Sequence, residues 1–220
     1  MAVDNDPNTL VINEIYPSIQ GESSYAGLPC VFVRLTGCNL RCTYCDTEYA
    51  FYEGIRRSVD EVVAEATSHR IPLVEITGGE PLLQRGCTTL AKKLLEAGHK
   101  VLVETSGAFS IAVLPPGTIR IMDLKCPSSG ESDKNDWSNI DQLNDHDEVK
   151  FVIGDRTDYE WTRDVMRRYD LPRRCTVLLS TVFGKIEPIT VTEWMLEDKL
   201  VARFQLQMHK YIWDPKKRGI

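Results

Sequence analysis

The chain has 220 residues with a formal net charge of −6, and 42% of its residues are hydrophobic and 26% charged. That balance supports a globular protein with a substantial core, and the acidic surplus argues against broad binding to nucleic acid, which relies on basic surface. No apolar run is long enough to span a bilayer and residues 1–8 lack the basic and apolar regions of a secretory signal, so a cytoplasmic protein off the membrane is expected.

In chain order, β-branched apolar runs predict strands at 10–16, 31–35, 73–77, 100–104, 119–124, 148–153, 176–180 and 204–208. Ser58 with Glu61 reads as a capping box opening a helix whose Val59, Val62, Val63 and Ala66 share a face. Helices follow at 89–97, stopped by Gly98, and at 157–169, and Thr190 with Glu193 repeats the capping-box signal. Residues 127–135 read as a polar surface loop. Strands alternating with helices imply parallel βαβ units. A full (β/α)8 barrel typically needs about 250 residues. The expected fold is therefore α/β, a single domain over residues 1–220 forming an incomplete TIM-type barrel, with a flexible N-terminus at 1–9 and a C-terminal extension at 216–220. In such a sheet the loops after the strands gather the site.

One of those loops carries Cys38, Cys42 and Cys45 at C-x3-C-x2-C spacing. Soft thiolates this close can turn toward one centre, whereas a disulfide would use two and strand the third. A zinc site usually takes four protein ligands, and no His or Cys follows at ribbon or finger spacing. A three-thiolate [4Fe–4S] cluster with one open iron accounts for the count; a buried thiol cluster and a zinc half-site are the competing readings. The remaining cysteines, Cys30, Cys87, Cys126 and Cys175, make an odd total of seven and read as small apolar residues rather than a disulfide framework. Thr77-Gly78-Gly79-Glu80-Pro81 follows a strand, where glycine lets backbone approach a ligand closely, and is equally a strand-to-helix turn. Arg34 on an apolar strand needs an anionic partner, either a ligand carboxylate or a structural ion pair. By themselves Gln20-Gly21-Glu22 read as a polar turn, Thr47 as a turn hydroxyl, Glu104, Asp123 and Lys125 as surface ion pairs, and His209 as a structural histidine.

Together these segments resemble a family. Ile19-Gln20-Gly21-Glu22, Cys45-Asp46-Thr47, Thr77-Gly78-Gly79-Glu80-Pro81, Glu104-Thr105-Ser106-Gly107 and Gln207-Met208-His209-Lys210-Tyr211 occur in the order found in 7-carboxy-7-deazaguanine synthases, which are radical S-adenosylmethionine (SAM) enzymes. The resemblance implies a partial β/α barrel of the radical SAM type. It implies a carbon–nitrogen lyase of queuosine and 7-deazapurine biosynthesis: a Mg2+-dependent ring contraction of 6-carboxy-5,6,7,8-tetrahydropterin to 7-carboxy-7-deazaguanine with release of ammonia. SAM is expected to yield a 5′-deoxyadenosyl radical that takes hydrogen from substrate C6, and then to be regenerated.

The same resemblance distributes the residues. It makes Cys38, Cys42 and Cys45 ligands of a [4Fe–4S] cluster whose fourth iron is chelated by SAM, and Thr47 a Mg2+ ligand. Ile19, Gln20, Gly21, Glu22, Arg34, Thr77, Glu104, His209 and Pro215 fall around the substrate, with Arg34 on its carboxylate. Gly79, Asp123, Leu124, Lys125, Ser180, Thr181, Val182 and Phe183 fall along SAM, although the family often has Ser-Pro-Lys where this chain has Asp123-Leu124-Lys125. An external one-electron reductant of the flavodoxin or ferredoxin type and a homodimer belong to the same expectation. The rivals are a radical SAM activase that makes a glycyl radical on another protein, an iron–sulfur electron carrier, which normally supplies all four cluster ligands, and a zinc-stabilised binding module.

Overall fold

Period-2 alternation governs the architecture, because each strand of the sheet is covered on one face and lines an interior on the other. The computed structural model describes residues 6–220. Of the expected flexible stretch 1–9, residues 1–5 lie outside the described residues, and Thr9 already begins a strand. The elements are β1 (Thr9–Ile19), β2 (Pro29–Leu35), β3 (Ile55–Ser58), α1 (Val59–Ser68), β4 (Leu73–Gly78), α2 (Gly86–Glu96), β5 (Lys100–Thr105), β6 (Ile119–Asp123), β7 (Glu148–Ile153), α3 (Arg156–Tyr169), β8 (Thr176–Thr181), α4 (Pro188–Glu197), β9 (Arg203–Phe204) and α5 (His209–Ile212).

The strands form one nine-stranded sheet in the order β3-β1-β2-β4-β5-β6-β7-β8-β9. From β2 to β9 the neighbours run parallel. The edges β3 and β9 do not pair, so the barrel is open, as expected from the chain length. β1 departs from the parallel expectation: with no helix between them, β1 and β2 form an antiparallel hairpin, and β1 pairs antiparallel with β3 as well. β3, Ile-Arg-Arg-Ser, has no apolar run to announce it and exists through its ladder with β1.

Outside the sheet, α1 and α2 cover one half and bury Val62, Leu90 and Leu94 against Val31, Val33, Val74 and Ile76. Over the other half, α3 and α4 bring Tyr159, Val165 and Val191 against Val149, Phe151, Val177 and Leu179. The alternate residues face inward. Near the strand starts they are apolar, namely Cys30, Phe32, Leu73, Leu102, Ile119 and Ile121. Nearer the strand ends the same alternation delivers Arg34, Glu75, Thr77, Glu104, Asp123 and Lys150 to the interior.

The Ser58 capping box forms, with Glu61 N–H donating to Ser58 Oγ at 3.2 Å and Ser58 N–H to Glu61 Oε2 at 2.8 Å. Gly98, at φ +87°, follows α2 as a C′ glycine. The second capping box does not form: α4 starts three residues earlier, with Pro188 at its first turn and Glu187 as N-cap, which leaves Thr190 inside the helix. The strand expected over 204–208 is reduced to Arg203–Phe204, and His209 opens the short α5 instead. After β5 and β6, short 3-10 turns replace helices. Cys30, Cys87, Cys126 and Cys175 are all buried. Among the described residues, no helix is long and apolar enough to cross a membrane.

Leu94 is fully buried between α2 and the sheet. Leu94→Ala should cost about 2–5 kcal/mol and lower Tm by about 5–15 °C, as read by calorimetry, without changing any group of the interior.

Candidate active site

The glycine-rich turn after β4 works first as a brace for the cysteine loop. Gly78 has φ +155°, and a Cβ there would overlap the carbonyl oxygen of Leu35. At Gly79 a Cβ would overlap the Gly37 carbonyl and stand 2.7 Å from Cys38 Cβ. Only a backbone without side chains lies this close to the start of the cysteine loop. Gly79 N–H donates to Leu35 O at 3.2 Å and Glu80 N–H to Gly37 O at 2.8 Å. Glu80 then turns into the protein, fully buried. Its carboxyl accepts from Leu82 N–H (2.9 Å), Thr105 Oγ1 (2.8 Å), Ser106 N–H (2.7 Å) and Ser106 Oγ (2.6 Å), tying the end of β4 to the Glu104-Thr105-Ser106-Gly107 segment.

Inside the sheet lies a cavity of about 740 Å3. Cys38, Cys42, Cys45 and Thr47 border it on the loop side, and the inward residues of β2, β4, β5, β6 and β7 form its wall. Burial raises the proton affinity of the Cys38 thiol and pushes the Cys42 thiol up to about 11 despite the nearby Lys125 ammonium. Among the described residues, no three His, Cys, Asp or Glu side chains converge on one ion position. Iron–sulfur clusters are held by cysteine thiolates, and these three cysteines border the cavity together.

The wall is a network of opposed charges. Lys150 Nζ contacts Glu104 Oε1, lies 2.9 Å from Glu22 Oε2 and 3.6 Å from Asp123 Oδ2. Lys125 Nζ takes the same Asp123 oxygen at 2.9 Å. Burial works against the charge on Lys150, and Glu104, Glu22 and Asp123 outweigh it. Burial likewise opposes ionisation of Glu104, and Lys150 overcomes it, so this carboxyl sits below its ordinary range. Glu75, with Gln20 Nε2 donating to it, goes the other way: burial and the neighbouring Glu104 charge raise its proton affinity well above normal. The pair is thus split, Glu104 toward the ionised form and Glu75 toward the neutral one.

Arg34 donates from Nε to Glu14 Oε1 at 2.8 Å and from Nη2 to Tyr16 Oη at 3.0 Å, leaving Nη1 outside these bonds. Arg34 therefore makes the structural ion pair, with Glu14, and borders the cavity. Gly21 is packed on the last helix: its carbonyl accepts from Met208 N–H at 3.0 Å, and a Cβ would stand 2.8 Å from His209 Nδ1. Burial lowers the proton affinity of His209, which favours the neutral imidazole. Lys210 holds Asp46 at 2.6 Å, and its charge outweighs burial to bring that carboxyl down to about 2. Pro215 and residues 216–220 also border the cavity, where Arg218 reaches Glu53 at 2.9 Å and sits 3.8 Å over the Tyr49 ring.

Of the residues read as site residues, Ile19, Gln20, Gly21, Glu22, Arg34, Cys38, Cys42, Cys45, Thr47, Thr77, Gly79, Glu104, Asp123, Lys125, Val182, Phe183, His209 and Pro215 meet at this cavity. Three do not border it. Leu124 packs its side chain fully into the outer core, and Ser180 and Thr181 are buried at the end of β8. Sequence reading missed Lys150 and Glu75. Both carry the signal that marked Arg34, a charge inside an apolar strand, in Glu-Val-Lys-Phe-Val-Ile and Leu-Val-Glu-Ile-Thr-Gly. Among the described residues that border the cavity, Asp123 Oδ1 is buried without a hydrogen-bond partner. Such an atom fits a polar ligand at the end of β6.

Residues 32–184 match the model of the radical SAM superfamily, a span that runs from β2 and its cysteine loop to the end of β8. The chain is therefore a radical SAM protein, a class that implies a [4Fe–4S] cluster and SAM. It is 46% identical to the 7-carboxy-7-deazaguanine synthase of Koribacter versatilis over 95% of this chain and 99% of that one. It is 43% identical to that of Chlorobaculum tepidum over 96% and 97%. The chain belongs to the 7-carboxy-7-deazaguanine synthase family. Its fold matches the crystal structure of QueE from Escherichia coli at a TM-score of 0.77 and 21% identity, covering 91% of this chain and 95% of that one.

Glu80→Gln puts an amide N–H2 among four donors, and should cost about 2–3 kcal/mol in chemical denaturation. Gly79→Ala pushes on Cys38 directly and should lower the iron and sulfide retained after anaerobic reconstitution to less than about half of wild type, measured per polypeptide.

Proposed function

We propose that this chain converts 6-carboxy-5,6,7,8-tetrahydropterin to 7-carboxy-7-deazaguanine with release of ammonia, as a carbon–nitrogen lyase. The observation that carries the reading is family membership across nearly the whole chain, together with the gathering of the substrate-side residues at one cavity. Substrate and product differ by NH3 alone, so the reaction is redox-neutral and leaves SAM free to be regenerated.

Cys38, Cys42 and Cys45 would hold the cluster, and Gly79, Asp123, Lys125, Val182 and Phe183 would line SAM. When bound, these groups supply the electron and the 5′-deoxyadenosyl radical that starts the rearrangement at substrate C6. The remaining work belongs to side chains. Arg34 stays charged because Tyr16, Tyr49 and Glu14 outweigh its burial, and it binds the substrate carboxylate through the N–H groups its ion pair leaves over. Glu104, kept ionised by Lys150, accepts from ring N–H groups. The Ile19-Gln20-Gly21 backbone and the neutral His209 fix the ring orientation, while Pro215 and the residues after it exclude water. Thr47, whose hydroxyl lies 3.8 Å from Cys45 Sγ, offers Mg2+ a hard oxygen beside the substrate. A flavodoxin- or ferredoxin-type reductant, a homodimer and a single domain over residues 1–220 complete the reading.

Anaerobic reconstitution with iron and sulfide, followed by incubation with reductant, SAM, Mg2+ and the tetrahydropterin, should give 7-carboxy-7-deazaguanine by mass spectrometry. Cleavage of SAM without that product would refute the substrate assignment. Cys42→Ala should lose both cluster absorption and SAM cleavage. Arg34→Ala should keep the cluster and raise KM by about 10–100-fold, in line with the loss of a charged hydrogen bond; an unchanged KM would remove Arg34 from the substrate.

A further inference from the structure

We propose that Lys150 is a positioning residue that couples the substrate subsite to the SAM subsite, holding Glu22 and Glu104 on one side and Asp123 on the other. The inference rests on the assignment of those subsites under Proposed function. An ammonium has three donors, and three carboxylates surround this one: Glu104 in contact, Glu22 at 2.9 Å and Asp123 at 3.6 Å. Lys150 is nearly inaccessible, with 6% of its side chain exposed, so these attractions act with little solvent screening.

Each carboxylate extends the network into a different part of the cavity. Glu22 Oε1 accepts from Gln207 Nε2 at 2.9 Å, two residues before His209. Glu104 Oε2 accepts from Thr77 Oγ1 at 3.2 Å. Asp123 shares its Oδ2 with Lys125 at 2.9 Å and keeps Oδ1 buried without a hydrogen-bond partner. SAM is a cation at its sulfonium. With SAM beside Asp123, that positive charge would compete with Lys150 for the carboxylate and leave Nζ to Glu104 and Glu22. The substrate side is thereby drawn tighter when SAM is present, and linkage requires the reverse effect to be equal.

The test is calorimetric titration of the cluster-reconstituted protein with 7-carboxy-7-deazaguanine, with and without saturating SAM. In the wild type SAM should tighten binding about fivefold or more. Lys150→Met, with cluster absorption and SAM binding retained, should bring that factor to about one, and Lys150→Arg should restore part of it. No effect of SAM in the wild type, or an undiminished factor in Lys150→Met, would overturn the coupling. If Lys150→Met loses its cooperative melt or its cluster, Glu22→Gln takes its place: it keeps an acceptor for Lys150 without the charge, so the factor should fall by half or more, and an unchanged factor overturns the proposal. Absence of product binding in the wild type would overturn the functional reading itself, and the coupling with it.

Discussion

Charges placed inside a sheet must neutralise one another, because the interior offers them little water. The structure meets this constraint along the cavity wall. Arg34 has Glu14, Lys125 has Asp123, and Lys150 has Glu104 and Glu22. Glu75, which lacks a cation of its own, is pushed toward the neutral form and takes a hydrogen bond from Gln20. The network sets the depth of the cavity as well: below it the interior closes on Phe32, Leu102 and Ile121, and above it the strand ends open toward the cysteine loop.

The second organising element is Glu80. Its buried carboxyl joins two motifs that are 26 residues apart in sequence, through the Ser106 N–H bond. Gly78 and Gly79, on the same turn, let β4 end directly under the cysteine loop. A single short segment therefore fixes the cysteine loop relative to the end of β5, and with it one side of the cavity relative to the other. The glycines, which by sequence look like ligand contacts, are at least as much a consequence of backbone packing against Leu35 and Gly37.

Most strands and helices were legible because apolar alternation and caps are local signals; the Ser58 box and Gly98 stop behave as local rules require. What failed was nonlocal. β3 has no apolar run and depends on β1 for its existence. The Thr190–Glu193 signal lost to Pro188, which starts α4 earlier, and the strand expected at 204–208 lost most of its length where the chain turns to reach Gly21. In the site, local motifs led to the cysteines, Thr77, Gly79 and Glu104, whereas Lys150 and Glu75 sit in strands whose apolar neighbours conceal them. A charge inside a strand marks such positions, but its partner becomes visible only once the sheet order is known, since Lys150 meets a residue 128 positions away in Glu22.

The open side of the barrel is spanned by the hairpin turn after β1. Ser23 N–H donates to Gln205 Oε1 at 2.7 Å, Ser24 N–H to Glu148 Oε1 at 3.0 Å, and the Gly21 carbonyl accepts from Met208 N–H at 3.0 Å. Where a complete barrel would have a strand ladder, this protein has a seam stitched largely by side chains. A ladder parts only by unzipping many backbone bonds in sequence, but a seam of this kind can breathe as a unit without disturbing the sheet. The interior is thus bounded by backbone ladders on the side of its parallel strands and by side-chain bonds along one line, which runs past Glu22, Gln207 and His209. Local opening along it has fewer backbone hydrogen bonds to part than opening at the centre of the sheet.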